Sequence, residues 1–458
     1  MENLFYKTLF YTVVYYLLLC SGCKKETDFL NAKPNEALAV PSTLNDLKSL
    51  LHNQGILNQH YPALGQISSD DSYVTTSFYN TTTTTERNAY IWAKQIYDPG
   101  ANVGDWSDSY NQIYYANTVL DALPHLTNSS NQQGLANEIK GVALFYRSFA
   151  FYNLVQTFAL PYDPSTSKSD LGIPLRLTSN LNVKSVRATV QQSYDQIMND
   201  LQIAATLLPL TNTDQTEPTK ASVLGLLSRV KLALGNYTGS LQNATDCLVI
   251  NNKLQDFNQL NPNAFPIYPN FSMEELFHSS FEGYGLIGFN AVVDSTLFQS
   301  FNDPNDLRPS IFFYNSGGII GFNSQFDKHN NIYCGISINE IYLNKAECEA
   351  RTGDFKSAMA DLNTLLIKRW KTGSFKPFTA LNSDSALKQI LAERRKELVF
   401  TGIRWTDLRR LNKDVRFAVT LTRIIGGKTY TLPPNDPKYA LPIPDNEIVL
   451  SGIPQNNR

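Results

Sequence analysis

The sequence predicts a mainly α-helical protein whose helices form pairs, with long irregular insertions between some of the pairs. Three observations in the 458 residues support this fold class: helical periodicity, a repeated helix–turn–helix pattern and two segments of different composition. Periodicity dominates from about residue 103 onward. In residues 221–234 apolar side chains recur at the i, i+3, i+4, i+7 spacing that places them on one face of a helix. These side chains are Val223, Leu226, Leu227, Val230 and Leu234.

Two segments share the helix–turn–helix pattern. The first apolar helix stops at Gly235 and a second follows over about 237–250, whereas Gly353 separates a helix that begins near Ile338 from one over about 355–366. Both turns consist of Gly, a polar residue, an aromatic residue and then a small residue, as in LGNYTGSLQNA and RTGDFKSAMAD. This pattern is typical of tetratricopeptide-like units, in which the glycine takes the left-handed turn conformation and the aromatic ring packs between the two helices.

The two glycine turns lie 118 residues apart, so the units do not form a tandem array. Two further helix pairs fit the periodicity, namely 103–123 with 135–158 and 188–208 with 221–234. The last of these helices thereby belongs to two different pairs, and the sequence does not decide between them. We expect the helical scaffold to occupy about 44–55, 103–250 and 336–411.

The segments between these helices differ in composition. Residues 56–102 are rich in Thr, Tyr and Asn, and residues 251–335 are rich in Gly, Pro, Asn and aromatic side chains. Long irregular stretches in an otherwise helical domain are usually functional loops. The alternative is that their aromatic residues form local cores around short strands, and both interpretations stay open residue by residue. A C-terminal segment follows the scaffold over 412–458.

The N-terminal part contains a C-x-x-C sequence at Cys20 and Cys23, directly after the uncharged run LFYTVVYYLLL. A redox dithiol or half of a zinc site has this spacing, but no second C-x-x-C and no H-x3-5-H occurs in the chain. The run is shorter than the about 20 residues that a helix needs to span a bilayer, and its length fits a secretory signal. With two small residues before Cys23, the segment resembles the lipobox of bacterial lipoproteins. The resemblance implies a signal peptide over 1–22, a lipidated Cys23 and a tether over 23–43.

Composition and motifs exclude several classes of protein. The net charge of −2 gives no basic footprint for nucleic acid. The motifs G-x-S-x-G, H-E-x-x-H, the P-loop and the dinucleotide fingerprint are absent, and no two of the five histidines lie at ligand spacing. We therefore expect no catalytic residue, no metal and no cofactor. For the three remaining cysteines, buried free thiols are favoured over one disulfide, and these are Cys247, Cys334 and Cys348.

Three pairs of nearby carboxylates have the residue types that glycoside hydrolysis requires, since that reaction uses two carboxylates in one cleft. Acids on a loop or on a charged helix are far more often solvated or ion-paired, so hydrolysis stays an alternative and not the favoured interpretation. The pairs are Asp70–Asp71, Glu274–Glu275 and Glu393–Glu397.

The segment from about 383 to 411 has the highest charge density in the chain. Arg394 and Glu397 lie at i, i+3 spacing, as do Asp407 and Arg410, which places the members of each pair on one helix face. One interpretation is an anion site. The interpretation that we favour is an ion-paired helix hairpin that docks the C-terminal part of the chain onto the helical scaffold.

Several blocks of the sequence resemble one family of proteins. ILAERRKELVFTGIRWTDLRR looks like the E-R-R-x-E-L-x-F-E-G-x-R-x-x-D-L-x-R block of SusD/RagB-type outer-membrane lipoproteins, and YALPIPDNEIVLSGIPQNN is similar to their closing L-P-I-P-x-x-E-I…Q-N. EIKGVALFYRSFAFYNLVQTFALPYD and INEIYLNKAECEARTGDFKSAMADLNTLLIKR resemble two of their helical blocks. The resemblance runs in order from Cys23 to Asn457. Thr401 and Ala159 depart from the family's Glu and Gly, and these departures concern local packing and ion pairing only.

The resemblance implies a single SusD-like domain over 44–458 and a protein without catalytic activity. Such proteins lie on the outer face of the outer membrane of Gram-negative cells and form a lid over a SusC-like, TonB-dependent barrel. They capture glycans, or in some members peptides, and hand them to the barrel. The implied partners are therefore the barrel, an oligosaccharide or peptide, and the membrane itself through Cys23. A surface glycoside hydrolase and a helical-repeat scaffold that binds only protein remain the alternatives.

The family's ligand residues vary too much to be carried over by motif, so our candidates rest on loop position and side-chain type. Aromatic rings stack on sugar or peptide faces, and Asn and Asp side chains supply hydrogen bonds. The candidate ligand residues are Asp71, Tyr73, Tyr79, Trp92, Asn102 and Tyr284. Trp106 opens a helix that matches the family's W-x-x-x-Y, and we expect it to be structural.

Overall fold

The computed structural model describes residues 41–126, 132–212, 214–264, 266–269, 271–287, 291–323 and 332–458. The expected signal peptide, Cys23 and the tether up to residue 40 lie outside these residues. The interpretations of that segment therefore stay predictions.

Helices dominate the described residues, in agreement with the predicted class. The seventeen α-helices found there are α1 (Leu44–Leu51), α2 (Gln54–Leu57), α3 (Leu64–Ser68), α4 (Thr76–Tyr79), α5 (Thr84–Tyr90), α6 (Gly104–Leu126), α7 (Gln133–Phe158), α8 (Val190–Leu207), α9 (Lys220–Ala233), α10 (Tyr237–Ile250), α11 (Ser295–Gln299), α12 (Arg308–Phe312), α13 (Ile338–Thr352), α14 (Phe355–Leu366), α15 (Ser383–Glu397), α16 (Ile403–Leu411) and α17 (Asp445–Ser451). The helices α1, α6–α10 and α13–α16 lie in the three ranges that the periodicity predicts for the scaffold.

Local sequence explains where the scaffold helices begin and end. The side chains of Thr189 and Thr219 accept hydrogen bonds at the starts of α8 and α9, and each belongs to a capping box. Gly235 (φ +71°) and Gly353 (φ +102°) have left-handed backbone in the turns after α9 and α13. That conformation costs other L residues about 1–2 kcal/mol. The two predicted glycine turns are confirmed.

The scaffold helices pack as a series in which neighbouring pairs share a helix. α7 packs against both α6 and α8, and α9 packs against both α8 and α10. α10 in turn packs against α13, which contacts α14 and α15. The periodicity assigned α9 to two pairs because α9 does contact two partners.

Ten short strands form four small sheets in the described residues. They are β1 (Ser72–Tyr73), β2 (Leu171–Pro174), β3 (Arg187–Thr189), β4 (Glu275–Phe277), β5 (Val292–Val293), β6 (Phe313–Ser316), β7 (Ile319–Phe322), β8 (Ile336–Ser337), β9 (Leu421–Ile425) and β10 (Lys428–Leu432). The largest sheet has the order β1-β5-β7-β6, so a strand of the first insertion pairs with strands of the second. On its last two strands Phe313 and Phe322 are buried, and the ring of Phe322 stacks on Phe400 with centroids 4.6 Å apart. For these aromatic residues the local-core interpretation is correct.

α15 and α16 form the ion-paired hairpin that the charge pattern predicts. Nε of Arg394 donates to Oδ2 of Asp407 at 2.7 Å, and Asp407 also pairs with Arg410 at 2.8 Å. Arg410 reaches α13 through two hydrogen bonds to Glu347, of 2.5 and 2.7 Å. These contacts dock the hairpin onto the scaffold.

A second, fully buried ion cluster lies beside the hairpin. Arg369 donates to Glu397 at 2.8 Å, to Glu274 at 2.7 Å and to the carbonyl of Gln255 at 2.7 Å. Arg308 donates to Glu393 at 2.7 Å. Two of the carboxylate pairs from the sequence therefore contribute residues to structural ion pairs.

The three cysteines of the described residues are buried free thiols, as predicted. Burial raises the pKa of the Cys334 thiol to about 12, and it likewise raises the pKa of Cys348 to about 12. Thiols in this state are protonated and chemically inert near neutral pH.

No helix within the described ranges combines the length and the hydropathy that crossing a membrane requires. The longest of them, α7, has 26 residues, and Glu138, Lys140 and Arg147 interrupt its apolar character.

Candidate ligand-binding site

A groove with a volume of about 480 Å³ runs along the N-terminal half of α6. Its opposite walls are the loop between β2 and β3 and the helix α17. α6 contributes a ring-rich face that includes Trp106, Tyr110 and Tyr114. Three segments that lie far apart in the sequence thus meet around one open space, which we call the α6 groove.

The α6 face of the groove is held rigidly. The ring of Trp106 packs edge-on against Phe158 with centroids 5.0 Å apart, and it also contacts Tyr110 at 4.8 Å. The Tyr110 hydroxyl donates to the carbonyl of Pro174 at 2.9 Å, and the side chain of Asn117 donates to the carbonyl of Arg176 at 2.9 Å. These hydrogen bonds fix the loop after β2 to the helix.

The rim of the groove is unusually apolar for a surface. Leu181 is 77% exposed, Val183 is 47% exposed and Leu450 is 84% exposed. Amide side chains lie among them, at Asn102 and Asn182. Apolar side chains clustered at the mouth of a groove, with polar groups between them, are typical of a binding site.

The start of α6 is anchored by a buried carboxylate on the side away from the groove. Asp105 accepts hydrogen bonds from the backbone N–H groups of Ala63 and Leu64, at 2.7 and 2.8 Å, and from the hydroxyl of Tyr284 at 2.6 Å. Burial raises the pKa of the Asp105 carboxyl to about 6, and these hydrogen bonds oppose that rise. Asp105 thereby joins residues of both insertions to the scaffold.

Two of the six candidate residues from the sequence lie at this end of α6. Asn102 is exposed and lines the groove. Tyr284 is half-buried, and its hydroxyl donates a hydrogen bond to Asp105. The structure therefore brings both residues close to the helix start, although Tyr284 serves to position chain segments there.

Tyr73 and Tyr79 lie on a different part of the surface. Tyr73 is 40% exposed on β1, and Tyr79 is half-buried with its ring 6.1 Å from that of Tyr90. The turn of the β9–β10 hairpin is bound nearby, since the N–H of Gly426 donates to the Thr76 hydroxyl at 3.0 Å. These tyrosines are not among the residues that line the α6 groove.

Asp71 and Trp92 lie in the protein interior. Asp71 has no exposed surface, and it accepts hydrogen bonds from Gln66 and from the N–H of Phe400, both at 3.2 Å. Burial, followed by repulsion from Asp70, raises its pKa to about 6. Trp92 is 2% exposed and its ring N–H donates to the carbonyl of Ser68 at 3.0 Å. Because neither side chain reaches solvent, we leave both out of the ligand-binding surface.

The sequence does not mark most of the groove residues as ligand-binding, because they fall in the predicted scaffold or in the C-terminal segment. Trp106 and Tyr114 belong to a scaffold helix, and Leu181 lies within the range 103–250. One signal was present in the sequence. The short polar stretch NLNVKSVR carries Leu181 and Val183 outside any apolar period, which is expected for exposed apolar side chains.

Carboxylates are scarce among the described residues that line the groove, and members of the acidic pairs of the sequence bind cationic side chains elsewhere. Among the described residues that line the groove, Glu447 is the single carboxylate. Asp70 is bound by Arg404 at 2.6 and 2.9 Å, and His278 lies 2.6 Å from Glu275. The described residues that line the groove therefore do not include the two facing carboxylates that glycoside hydrolysis uses.

Two family models match the chain. Residues 28–232 match a SusD-like model described as starch-binding associating with outer membrane, and residues 336–457 match the model of the SusD family. Together these matches cover more than half of the chain. The chain belongs to the SusD family. These matches confirm the resemblance to the SusD/RagB family that the ordered sequence blocks indicate.

Individual SusD-family proteins agree with this assignment. SusD-like protein P2 of Formosa agariphila is 24% identical, over 79% of this chain and 81% of the relative. A SusD superfamily protein from Bacteroides thetaiotaomicron is 24% identical, with a TM-score of 0.74 over 91% of this chain and all of that structure. A protein from Bacteroides vulgatus described as sugar binding is 23% identical, with a TM-score of 0.74 over 91% of this chain and 99% of that structure. The likeness to these structures establishes the fold.

Proposed function

We propose that this SusD-family protein is a non-catalytic lipoprotein of the cell surface that captures glycans and delivers them to a SusC-like, TonB-dependent transporter. The family description, starch-binding and associating with outer membrane, supports the class of function and the location. The α6 groove supplies the binding surface, and the lipid on Cys23 holds the protein at the membrane.

The observation that carries the proposal is the chemical character of the groove. The Tyr114 ring is half-buried on the groove wall, and the amides of Asn102 and Asn182 line the same groove. A sugar ring has an apolar face and a polar rim, so it fits an aromatic surface flanked by amides. The exposed Leu181 and Leu450 add apolar area that a bound ligand would remove from water.

Peptides are the second ligand class, since the exposed Leu181, Val183 and Leu450 also suit apolar side chains. Hydrolysis is disfavoured because a single carboxylate, Glu447, lines the groove in the described part of the chain. The amide side chains inside the groove suit a small polar ligand, and a scaffold that binds only protein would not require them there. The ligand class is therefore the first point to test.

Isothermal titration calorimetry of the purified protein against a panel of polysaccharides and peptides tests the binding proposal. We expect at least one glycan to bind, and we expect Tyr114→Ala and Asn182→Ala to weaken it about tenfold, which corresponds to the loss of one stacked ring or one hydrogen bond. Tyr73→Ala is the matched control on the other surface and should bind as the unaltered protein does. If the affinity falls in Tyr73→Ala alone, the ligand binds the surface around Tyr73 and the β9–β10 hairpin instead of the α6 groove. Binding of peptides but no glycan would overturn the proposed ligand class.

The anchor and the partner are tested separately in cells. We expect Cys23→Ser to shift the protein from the membrane fraction to the soluble fraction, because lipid attachment requires the thiol. We also expect the unaltered protein to co-purify with a TonB-dependent barrel after cross-linking. Membrane retention of Cys23→Ser, or the absence of any barrel among cross-linked partners, would contradict the proposed delivery role.

A further inference from the structure

Three side chains from separate segments converge beside the start of α6, on the side away from the groove. His60 and Glu282 lie with Nδ1 and Oε2 3.0 Å apart, and Asp108 of α6 shares a hydrogen bond with Glu282. One ligand atom from each residue lies within 4.8 Å of the other two. We propose that His60, Asp108 and Glu282 form a binding site for a divalent transition-metal ion of the zinc class.

The backbone holds the three residues in fixed relative positions. The N–H of Tyr61 donates to the carbonyl of Ser280 at 3.1 Å, and the N–H of Glu282 donates to the carbonyl of Tyr61 at 2.8 Å. His60 and Glu282 therefore sit on two strands of chain that are hydrogen-bonded side by side. Asp108 is carried by α6, whose start is tied to the same region through Asp105 and Tyr284. Ligands fixed in this way lose little conformational freedom on binding a metal.

Gly104 leaves the space in which the two carboxylates meet. A Cβ atom at this position would lie 2.9 Å from Cδ of Glu282 and 3.0 Å from Oδ2 of Asp108. Any other residue here would push the carboxylates apart. Gly104 has no left-handed backbone that would otherwise require glycine, because it is not among the residues with positive φ.

The electrostatics of the cluster favour a cation. The ionisable groups that face it are His60, Asp108 and Glu282, with the buried Asp105 behind them. Facing carboxylates of this kind repel each other when ionised, and a bound dication removes that repulsion.

The donor set points to zinc and its neighbours rather than to calcium or magnesium. One imidazole nitrogen and two carboxylate oxygens suit first-row transition metals, whereas calcium and magnesium prefer oxygen ligands alone. Metal–ligand bonds of about 2.1 Å in a tetrahedron place the ligand atoms about 3.4 Å apart. The 3.0 Å separation of His60 and Glu282 is close to this value, and the ligand atom of Asp108 lies within 4.8 Å of both. The His60 side chain is 48% exposed, which leaves the fourth position open to water or to a ligand.

The sequence alone predicts no metal site, because no two histidines lie at ligand spacing. This cluster uses one histidine, and its ligands come together only through the pairing of residues near 61 with residues near 281. The inference does not depend on the proposed glycan binding, since the groove lies on the other side of α6.

Isothermal titration calorimetry with zinc chloride tests the inference, on full-length protein whose affinity tag has been removed and which has been treated with a chelator. We expect about one site per chain, and affinity about tenfold or more weaker in His60→Ala and in Asp108→Asn. The matched control is His52→Ala, because His52 also pairs with a glutamate on the surface, at 2.6 Å from Glu217, but among the described residues it belongs to no group of three ligands. The N-terminal cysteines are present in every variant, so their contribution cancels in the comparison.

A second readout does not depend on heat of binding. Zinc should raise the melting temperature of the unaltered protein and of His52→Ala, and it should leave that of His60→Ala unchanged. Equal zinc affinity in the unaltered protein and in His60→Ala would overturn the site. Equal weakening in His52→Ala and His60→Ala would also overturn it, since that result would mean unspecific binding to surface histidines. Tighter binding of calcium than of zinc would overturn the proposed class of metal.

Discussion

The hydroxyl of Tyr284 lies 2.6 Å from Oδ2 of Asp105 and donates a hydrogen bond to this buried carboxyl. The other oxygen of Asp105 accepts from two backbone N–H groups at the start of α3. One side chain therefore joins the first insertion, the second insertion and the scaffold. The groove wall formed by α6 begins at this junction.

We expect Tyr284→Phe to lower the free energy of unfolding by about 1–3 kcal/mol, because Asp105 loses a hydrogen-bond donor in a buried position. Urea denaturation measures the change. The matched control is Tyr73→Phe, whose ring is 40% exposed. Its free energy of unfolding should change by less than about 0.5 kcal/mol. Equal losses in the two variants would contradict the structural role of the Tyr284 hydroxyl.

The buried Asp71 predicts a specific pH dependence of stability. Its pKa is raised from 3.8 to about 6 in the folded protein. Between about pH 4 and pH 6 the folded state therefore keeps a proton that the unfolded chain releases, and the contribution of this carboxyl to stability falls as the pH rises. Below about pH 4 both states are protonated, so the contribution is fully present there.

The side chain of Asn does not titrate, so the variant Asp71→Asn lacks this pH-dependent contribution to stability. We therefore expect the stability of the unaltered protein relative to Asp71→Asn to fall by about 2 kcal/mol between pH 4 and pH 6.5, since this range covers most of the shift of about two pKa units. Urea denaturation of both proteins across this range checks the sign and the size. A difference that stays constant with pH would show that Asp71 titrates at its ordinary value.

Removal of the buried cation Arg369 is expected to destabilise the fold strongly. Arg369 has no exposed surface and it bridges Glu274 and Glu397. We expect Arg369→Met to destabilise the fold by about 3–5 kcal/mol, because Glu274 and Glu397 each lose a buried ion pair, although Glu397 keeps its pair with Arg308 at 3.4 Å. The control is Lys388→Met, whose ion pair with Asp384 is largely exposed and should contribute nothing measurable. Similar losses in both variants, measured by urea denaturation, would contradict the role of burial.

Gly402 and Gly100 separate two effects of a glycine substitution. Both have left-handed backbone, with φ of +79° and +74°, so Ala at either position costs about 1–2 kcal/mol. At Gly402 a Cβ would also lie 2.4 Å from Cζ of Phe281, whereas at Gly100 no atom lies within 4 Å. We expect Gly402→Ala to cost about 1–3 kcal/mol more than Gly100→Ala. Thermal denaturation that ranks the two equally would show that Phe281 moves aside freely.

The sequence predicts the long helices well because their apolar period extends over many turns. The helix pair around Gly353 is an example, since both its helices and its turn agree with the expectation. The first insertion is harder to predict. α4 and α5 have four and seven residues, which is too short for a period, and they form because Thr75 and Thr83 cap them.

Burial of aromatic residues in the insertions was not readable from the sequence. Trp92 lies in the Thr-, Tyr- and Asn-rich first insertion and was expected to face a ligand, yet the fold covers it and the carbonyl of Ser68 accepts a hydrogen bond from its N–H. Whether such a ring is buried depends on contacts between distant segments. The α6 groove was missed for the same reason, because its walls come from three regions that only the folded chain brings together.

The pairing of Ser72 with Val293 and of Tyr73 with Val292 makes the two insertions parts of one sheet. A chimera that takes only one insertion from a relative would leave a strand without its partner, with unpaired backbone groups at a sheet edge. The two insertions are therefore a single exchangeable module, and transplanting surface loops between family members should succeed only when both are moved together.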